Sequence, residues 1–329
     1  MTGDDLKKIF NSFNGKKVLI VGDSMIDAYM WGSINRISPE ADVPVVDIEK
    51  YEVRLGGAAN CALNIKALGA EPILCSVLGK DLNGGRFQQL IKESDLSDIG
   101  LIVSNTRETT VKTRVICEGR HQLRIDEEDT KPLQIEDKFL QNILEIIDSC
   151  EVLILQDYNK GVLTKKIISE LILEAKKRSI PIIVDPKKDN FLEYKNCDIF
   201  KPNLKEIKEG MKIDFNEKID YELENITFKL KEELNAKGIL LTLSSDGICI
   251  NSDEGFVHTQ AYGDPVVDVS GAGDTVISVA SLLLSESISF ENISKISCLS
   301  GGIVCQKVGV VPINKEELLM EALQIIKTL

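Results

Sequence analysis

Residues 151–185 read EVLILQDYNKGVLTKKIISELILEAKKRSIPIIVD. The runs EVLILQD and PIIVD are short, almost wholly apolar and end on an aspartate, and residues 164–178 between them carry the apolar spacing of an amphipathic helix. Apolar strands separated by helices pair in parallel, with both faces of their sheet covered. The same alternation extends in both directions. Upstream stand VLIVGD from residue 18, a helix near 58–68, PILCSVLG and a helix near 84–93. Downstream stand CDIFKPN, a helical segment ending at Leu234, and GILLTL. The pattern predicts an α/β fold built on a doubly wound, mostly parallel sheet.

Two segments interrupt the alternation. Residues 28–54 and 99–127, as in VPVVDIEKYEVRL and TTVKTRVICEGRHQLRID, alternate apolar and polar positions and leave no room for a helix between strands. They are expected to form a small second sheet that projects from the core as a lid. Beyond Gly271 the chain reads as mostly helical to Leu329. No internal repeat, low-complexity tract or Pro/Gly/Ser linker is present, so residues 1–329 are expected to form one domain carrying this lid. A projecting sheet leaves an apolar face and open edges, and a second copy is the simplest cover for both, which predicts a homodimer joined through the lids. Tyr29 and Trp31 fit packing or subunit contact there.

The 329 residues are 43% hydrophobic, and 52 Asp and Glu stand against 39 Lys and Arg, a formal net charge of −13. That balance excludes bulk binding of nucleic acid or an anionic membrane, though not of small anions. Eight cysteines lie scattered, without CxxC pairs or histidine companions, and read as buried free thiols in a reducing compartment. The start, MTGDDLKKIF, lacks a secretory pattern, and no apolar run approaches membrane-spanning length, so a cytoplasmic location is expected.

In open α/β sheets ligands bind beyond the carboxyl ends of the strands. Here those positions include Gly22, Asp23, Asp27, Gln156, Asp157, Asp185, Asn203, Glu206 and residues 268–274. Carboxylates there suit sugar hydroxyls and hard cations. In Asp268-Val269-Ser270-Gly271-Ala272-Gly273-Asp274, two glycines open an apolar helix at a cost of about 1 kcal/mol each against alanine. Bare amides at a helix start bind anions, and Asp274 stands where it can take a proton, the pairing that phosphoryl transfer to an alcohol requires. The other reading is that Ser270 caps the helix and Asp274 complements its dipole. Asn203 and Glu206, three apart, form either a phosphate and Mg²⁺ contact or an ordinary capping box. Asp27 and Asn60 can grip vicinal hydroxyls beside Gly56 and Gly57, or serve as a turn carboxylate and helix packing. The chain has no GxGxxG fingerprint in its first βα turn, no P-loop and no GxSxG elbow. His121 and His258 lack companions for a triad or metal site.

With GGAAN, KPNLKE and DVSGAGDT in this order, the chain resembles the ribokinase-like (PfkB) sugar kinases over nearly its full length. Within that family, RISPEADVPVV, TTVKTRVICEGRHQLRIDEE, LQDYNKGVLT and PIIVDPKKDNF resemble the heptose 7-phosphate kinases of ADP-heptose synthesis. The resemblance implies ATP-dependent phosphorylation of the anomeric hydroxyl of D-glycero-D-manno-heptose 7-phosphate, towards the lipopolysaccharide core. It implies Asp274 as base and Gly271, Ala272 and Gly273 as anion hole. Asn203 and Glu206 match the ATP-phosphate and Mg²⁺ motif, Thr242, Ser244 and Gly247 the nucleotide strand and turn, and Lys187 is expected to meet the transferred phosphoryl. Asp23, Asp27, Gly56, Gly57, Asn60 and Asp157 match sugar positions. Asp268 and Ser270 stand where some members hold a monovalent cation such as K⁺. Lys112 and Arg114, on one strand face with Arg36 and Arg124 nearby, are expected to clamp the sugar's distal phosphate. Cys298 stands where many members have asparagine near adenine, and His121 where heptose kinases more often have glutamine. Many relatives continue into a nucleotidyltransferase domain, and this chain reads as the stand-alone kinase form. The rivals are a kinase of another sugar or a nucleoside, and a non-catalytic sugar sensor on the same fold.

Overall fold

A computed structural model of the chain describes residues 1–263 and 266–328. Its strands are β1 (Lys17–Gly22), β2 (Ser24–Ile37), β3 (Pro44–Gly57), β4 (Glu71–Gly79), β5 (Leu101–Ser104), β6 (Val111–Cys117) and β7 (Arg120–Glu127). They continue as β8 (Val152–Gln156), β9 (Ile182–Asp185), β10 (Ile199–Phe200), β11 (Gly238–Thr242), β12 (Ile248–Ser252) and β13 (Gly255–Thr259). The helices are α1 (Gly3–Ser12), α2 (Ala58–Ala67), α3 (Leu82–Glu93), α4 (Glu136–Ile146) and α5 (Lys165–Lys177). After them come α6 (Leu204–Met211), α7 (Asp220–Leu234), α8 (Ala272–Ser285), α9 (Phe290–Cys305) and α10 (Lys315–Thr328). Leu329 lies outside the described residues.

The helix α5 forms where the spacing placed it. The Thr164 hydroxyl accepts from the Ile167 amide at its start, and Ile167, Ile168, Leu171, Ile172 and Ala175 turn one buried face to the sheet. Along β1, Val18 and Ile20 pack into the layer that holds α2, α8 and α9, whereas Leu19 and Val21 pack into the layer of α4, α5 and α7. A strand buried on both faces in this way has no polar side to alternate, so it reads as a continuous apolar run.

The large sheet runs β13-β12-β11-β10-β9-β8-β1-β4-β5. All neighbours are parallel except β11/β12 and β12/β13. From β1 the chain builds outward through β4 and β5, then returns to the opposite side of β1 with β8 and continues through β9, β10 and β11. The order reverses between β1 and β8, and a crevice opens beyond their carboxyl ends. No described helix is long and apolar enough to cross a membrane. Seven of the eight cysteines are buried, Cys305 is half-buried, and all are free thiols.

The second sheet has the order β3-β2-β6-β7, with β2/β3 and β6/β7 antiparallel and β2/β6 parallel. Its extent differs from the expectation. The first segment runs from Ser24 to Gly57, wider than 28–54, and the second joins only at Val111, because β5 pairs with β4 at the edge of the large sheet. An edge strand is covered on one side only, so β5 alternates buried and less buried residues as a lid strand does, and periodicity cannot separate the two. Period two also sorts the lid's faces. Asp27, Tyr29 and Trp31 share a face with Arg54, Lys112 and Arg114, while Ile26, Ala28, Leu55 and Val111 on the other pack into the core. Farther out on that apolar face, Leu123 and Ile125 are exposed.

Candidate active site

The helix α8 begins without a side-chain cap. Its N-cap is Gly271, in the left-handed region at φ +79°, and a Cβ there would approach Asn60 Nδ2 and a Val310 methyl to 3.0 Å. Ser270 is not the cap; its own amide donates to Asp268 Oδ1 at 2.9 Å. At Gly273 a Cβ would find nothing of the protein nearer than 3.7 Å. The missing methyl there serves neither turn geometry nor packing, and it leaves open the wall of a cleft of about 750 Å³.

Asp274 is buried in the first turn of α8 and faces this cleft. Its Oδ2 accepts from Asn60 Nδ2 at 2.7 Å; its Oδ1 accepts from Gln156 Nε2 at 3.1 Å and from the Tyr158 hydroxyl at 2.7 Å. Burial pushes its pKa up to about 6 against the pull of the Asn60 and Tyr158 donors, and nearby Asp185 adds to the rise. A carboxylate in that range is ionised at neutral pH yet basic enough to hold a proton in passing. Asn60 Oδ1 and Gln156 Oε1, beside Asp274, are buried without a hydrogen-bond partner.

One wall of the cleft carries two ammonium groups. Lys201 pairs with Asp185 at 3.0 Å, both buried, and its Nζ is the protein atom nearest the Cβ position of Gly273. Lys187 pairs with Glu206 and lies 5.2 Å from the centre of the Tyr158 ring. Burial works against its charge, but Asp185 and Glu206 more than offset this and raise its pKa. Asn203 and Glu206 form the full capping box of α6, each side chain on the other's amide at 2.9 Å. Asn203 lines the cleft with Thr242, Ser244, Gly247 and Cys298, whereas Glu206 stands behind Lys187. Gly247, at φ +91°, would drive a Cβ to 2.1 Å from the Thr259 carbonyl oxygen.

The lid-side residues are arranged differently from the expectation. Asp27 accepts from Arg114 Nη1 at 2.5 Å, and Gly56 makes room for that carboxylate, since a Cβ there would fall 2.2 Å from Asp27 Oδ2. Gly57, at φ +61°, caps α2 against the Asp23 carbonyl. Asp23 is not presented to the cleft. Its carboxylate takes the amides of Tyr158, Lys160 and Val162 at 2.8 to 3.0 Å, so it acts as a cage for the loop after β8. Asp157 is likewise occupied by the Tyr194 hydroxyl at 2.6 Å and the Asn159 amide at 2.7 Å. Burial and the Asp23 charge push its pKa up to about 7. Lys112 shares the face of Arg114, as alternation requires, but it is balanced by Asp126 at 3.1 Å and Glu128 at 3.3 Å. Arg124 pairs with Asp126, and Arg36 lies at the lid's exposed far end. Asp268 ties two loops, accepting from Ser270 and, at 2.9 Å, from the Gly309 amide. Partial burial raises its pKa, but those hydrogen bonds outweigh it and hold the carboxyl below its usual range.

Residues 16–317 match the family model described as pfkB family carbohydrate kinase. The chain belongs to this family. The chain is therefore a sugar kinase, a phosphotransferase. The chain is 38% identical over 303 residues to a bifunctional protein HldE of Campylobacter curvus, covering 92% of this chain and 64% of that protein. A bifunctional protein HldE of Sulfurimonas denitrificans is 36% identical, with 94% and 65% covered. The chain thus spans just under two thirds of these relatives. Among solved structures, phosphofructokinase-2 of Escherichia coli in complex with potassium superposes with a TM-score of 0.77 at 18% identity, covering 95% of this chain and 99% of that one. Arabidopsis thaliana ribokinase complexed with ribose and ATP gives 0.75 at 17%, covering 94% and 99%.

Sequence reasoning passed over Tyr158, Lys201 and Arg54 in this kinase. The first two stood inside quoted motifs, directly after strand ends, where position alone was a signal. Arg54 stands opposite Asp27 across β2/β3, its guanidinium 5.2 Å from the Tyr29 ring centre and bonded to the Val310 carbonyl at 3.0 Å. Only strand register reveals it.

Proposed function

We propose that the chain phosphorylates the anomeric hydroxyl of D-glycero-D-manno-heptose 7-phosphate with ATP, a step in building ADP-heptose. The observation that carries the reading is the buried Asp274, its pKa raised to about 6, beside a glycine-opened helix start without a side-chain cap on an open cleft. ATP would lie along the wall of Asn203, Thr242, Ser244 and Gly247, with its terminal phosphate at the α8 amides. The sugar would lie beneath the lid, among Asp27, Asn60 and Asp274. As the hydroxyl attacks, Asp274 takes its proton, and charge building on the phosphoryl oxygens meets the amides of α8 together with Lys187 and Lys201.

No group of three or more metal-ligating side chains occurs among the described residues. Magnesium needs none, because it keeps water and bridges phosphates with one or two carboxylates behind it. Asp185 at the cleft and Glu206 behind Lys187 suit that role, Glu206 through water, and the ion would neutralise phosphate charge. Asp268 and Ser270 are the positions we assign to a monovalent cation. The lid supports a phosphorylated sugar: Arg54 and Arg114 both lie against the Tyr29 ring, whose buried hydroxyl is unpartnered. The exposed Leu123 and Ile125 support a homodimer through the lids. The deciding experiment is ATP consumption against a panel of phosphorylated and free sugars, with NMR placing the phosphate on the product. Efficient use of free heptose, ribose or fructose would overturn the substrate while leaving a sugar kinase.

A further inference from the structure

We infer that Tyr158 is a positioning residue that reserves Oδ2 of Asp274 for the sugar's proton by closing Oδ1 to it. The inference rests on the reading of Asp274 as the base. A carboxylate oxygen offers two in-plane lone pairs. Oδ1 already receives two donors, Gln156 Nε2 and the Tyr158 hydroxyl, while Oδ2 receives Asn60 Nδ2 alone. The lone pair left open is therefore on Oδ2, beside the one that Asn60 fills. In the reaction the sugar O–H bond breaks and its proton passes to Oδ2. The oxygen's electron pair forms the new O–P bond, and the bond to the bridging oxygen breaks with its electrons leaving on ADP.

The placement of Tyr158 is built. It sits in the loop after β8, where Asn159 at φ +54° and Gly161 at φ +82° adopt left-handed backbone, and a Cβ at Gly161 would fall 2.0 Å from the Lys131 carbonyl oxygen. Three amides of this loop are held by the buried Asp23. Burial pushes the Tyr158 hydroxyl far above its usual range, so it remains a donor at every working pH.

The test is Tyr158→Phe, which keeps the ring and its contact with Lys187, with kcat and KM measured from pH 5 to 9 on the best sugar phosphate. The charged and titratable groups around Asp274 are Asp185, Lys201, Lys187 and Cys61, and all remain in the variant. Loss of a donor to the ionised carboxylate disfavours its charge, so the acid limb of kcat should move to higher pH by roughly one unit. With a second lone pair competing for the proton, kcat on the plateau should fall about tenfold, while KM for ATP stays within about twofold. A wild-type acid limb, or a fall in kcat without any shift of that limb, would overturn the inference. Asp274→Asn in the same assay separates the two levels. If it keeps wild-type kcat, the base assignment fails and this inference with it; if it is inactive while Tyr158→Phe keeps the wild-type profile, only this inference fails.

Discussion

Asp274→Asn removes the proposed proton acceptor at nearly constant volume, and the surroundings of Asp274 fix what else it does. Its oxygens face three donors, from Asn60, Gln156 and Tyr158. A carboxamide can satisfy only one side of that set. Turned one way its NH₂ meets Asn60 Nδ2, and turned the other it meets Gln156 and Tyr158, so one or two hydrogen bonds are lost, at about 1–3 kcal/mol. Against this stands a gain. The folded-state pKa of Asp274 is about 6 against an ordinary value of 3.8, so the native state binds this proton more tightly than the unfolded chain does. Stability from this group is therefore lost as pH rises from about 4 through 6, and at neutral pH the buried charge costs about 3 kcal/mol. The Asn variant carries no such cost. The two terms nearly cancel, and the variant should melt within a few degrees of wild type at pH 7 and lose the wild type's pH dependence between 4 and 6. Its kcat should fall by a factor of about 10²–10⁴, or roughly 3–5 kcal/mol in activation free energy. ATP binding should persist, because the α8 amides and the Asn203 wall are untouched. Coupled-enzyme detection of ADP, calorimetric titration with ATP and thermal melts at pH 4 to 8 together test this. Wild-type kcat in the variant would refute the reasoning outright. Lost activity with lost ATP binding would show that Asp274 shapes the nucleotide site rather than accepting a proton.

Gly273→Ala should separate stability from activity: alanine gains about 1 kcal/mol in a helix interior and has room within the protein, yet its methyl enters the phosphate wall. A melting temperature at or above wild type with a roughly tenfold higher KM for ATP is expected, and an unchanged KM would remove residue 273 from the anion hole. Arg114→Ala strips Asp27 of its partner and removes the proposed clamp on the distal phosphate, so KM for the phosphorylated sugar should rise at least about tenfold, with a smaller change for ATP. Equal effects on both substrates in steady-state kinetics would count against the clamp. Ile125→Glu places a charge on the exposed apolar lid face and should convert a dimer to monomer in sedimentation at micromolar concentration. Wild-type protein that is already monomeric there would remove the lid interface altogether.

The large sheet was legible because its strands are buried on both faces, and an apolar run ending in Asp or Gly survives any choice of register. The lid was legible as a second sheet but not in its limits, since β5 and β6 alternate alike and differ only in their partner strand. Single positions were harder. Asp23 and Asp27 stand four residues apart in one motif, yet one holds three loop amides and the other faces the lid arginine. That division depends on how the loop after β8 folds back over β1, which no spacing records. At Asn203 and Glu206 the structure shows the capping box, and the phosphate and Mg²⁺ contact remains part of the proposed function. The capping box that fixes α6 also holds Asn203 at the cleft wall, so the proposed phosphate contact would use a side chain that these hydrogen bonds already position.

A comparison of helix starts explains why the glycines carried so much information. Thr2, Asp81, Thr164, Asn203, Ser289 and Asn314 cap α1, α3, α5, α6, α9 and α10 with side-chain oxygens. The helices α4 and α7 follow isoleucines without a side-chain cap, but two acidic residues in each first turn complement the dipole. Only α2 and α8 among these begin on left-handed glycine, Gly57 and Gly271, with no side-chain cap. Those two helices pack against each other in one layer, and their first turns are joined by the Asn60–Asp274 hydrogen bond. A chain that caps six helices with side chains leaves both of these without one; the α2 start uses the Asp23 carbonyl instead, whereas the α8 start opens on the cleft, where the proposed phosphate would supply the acceptors.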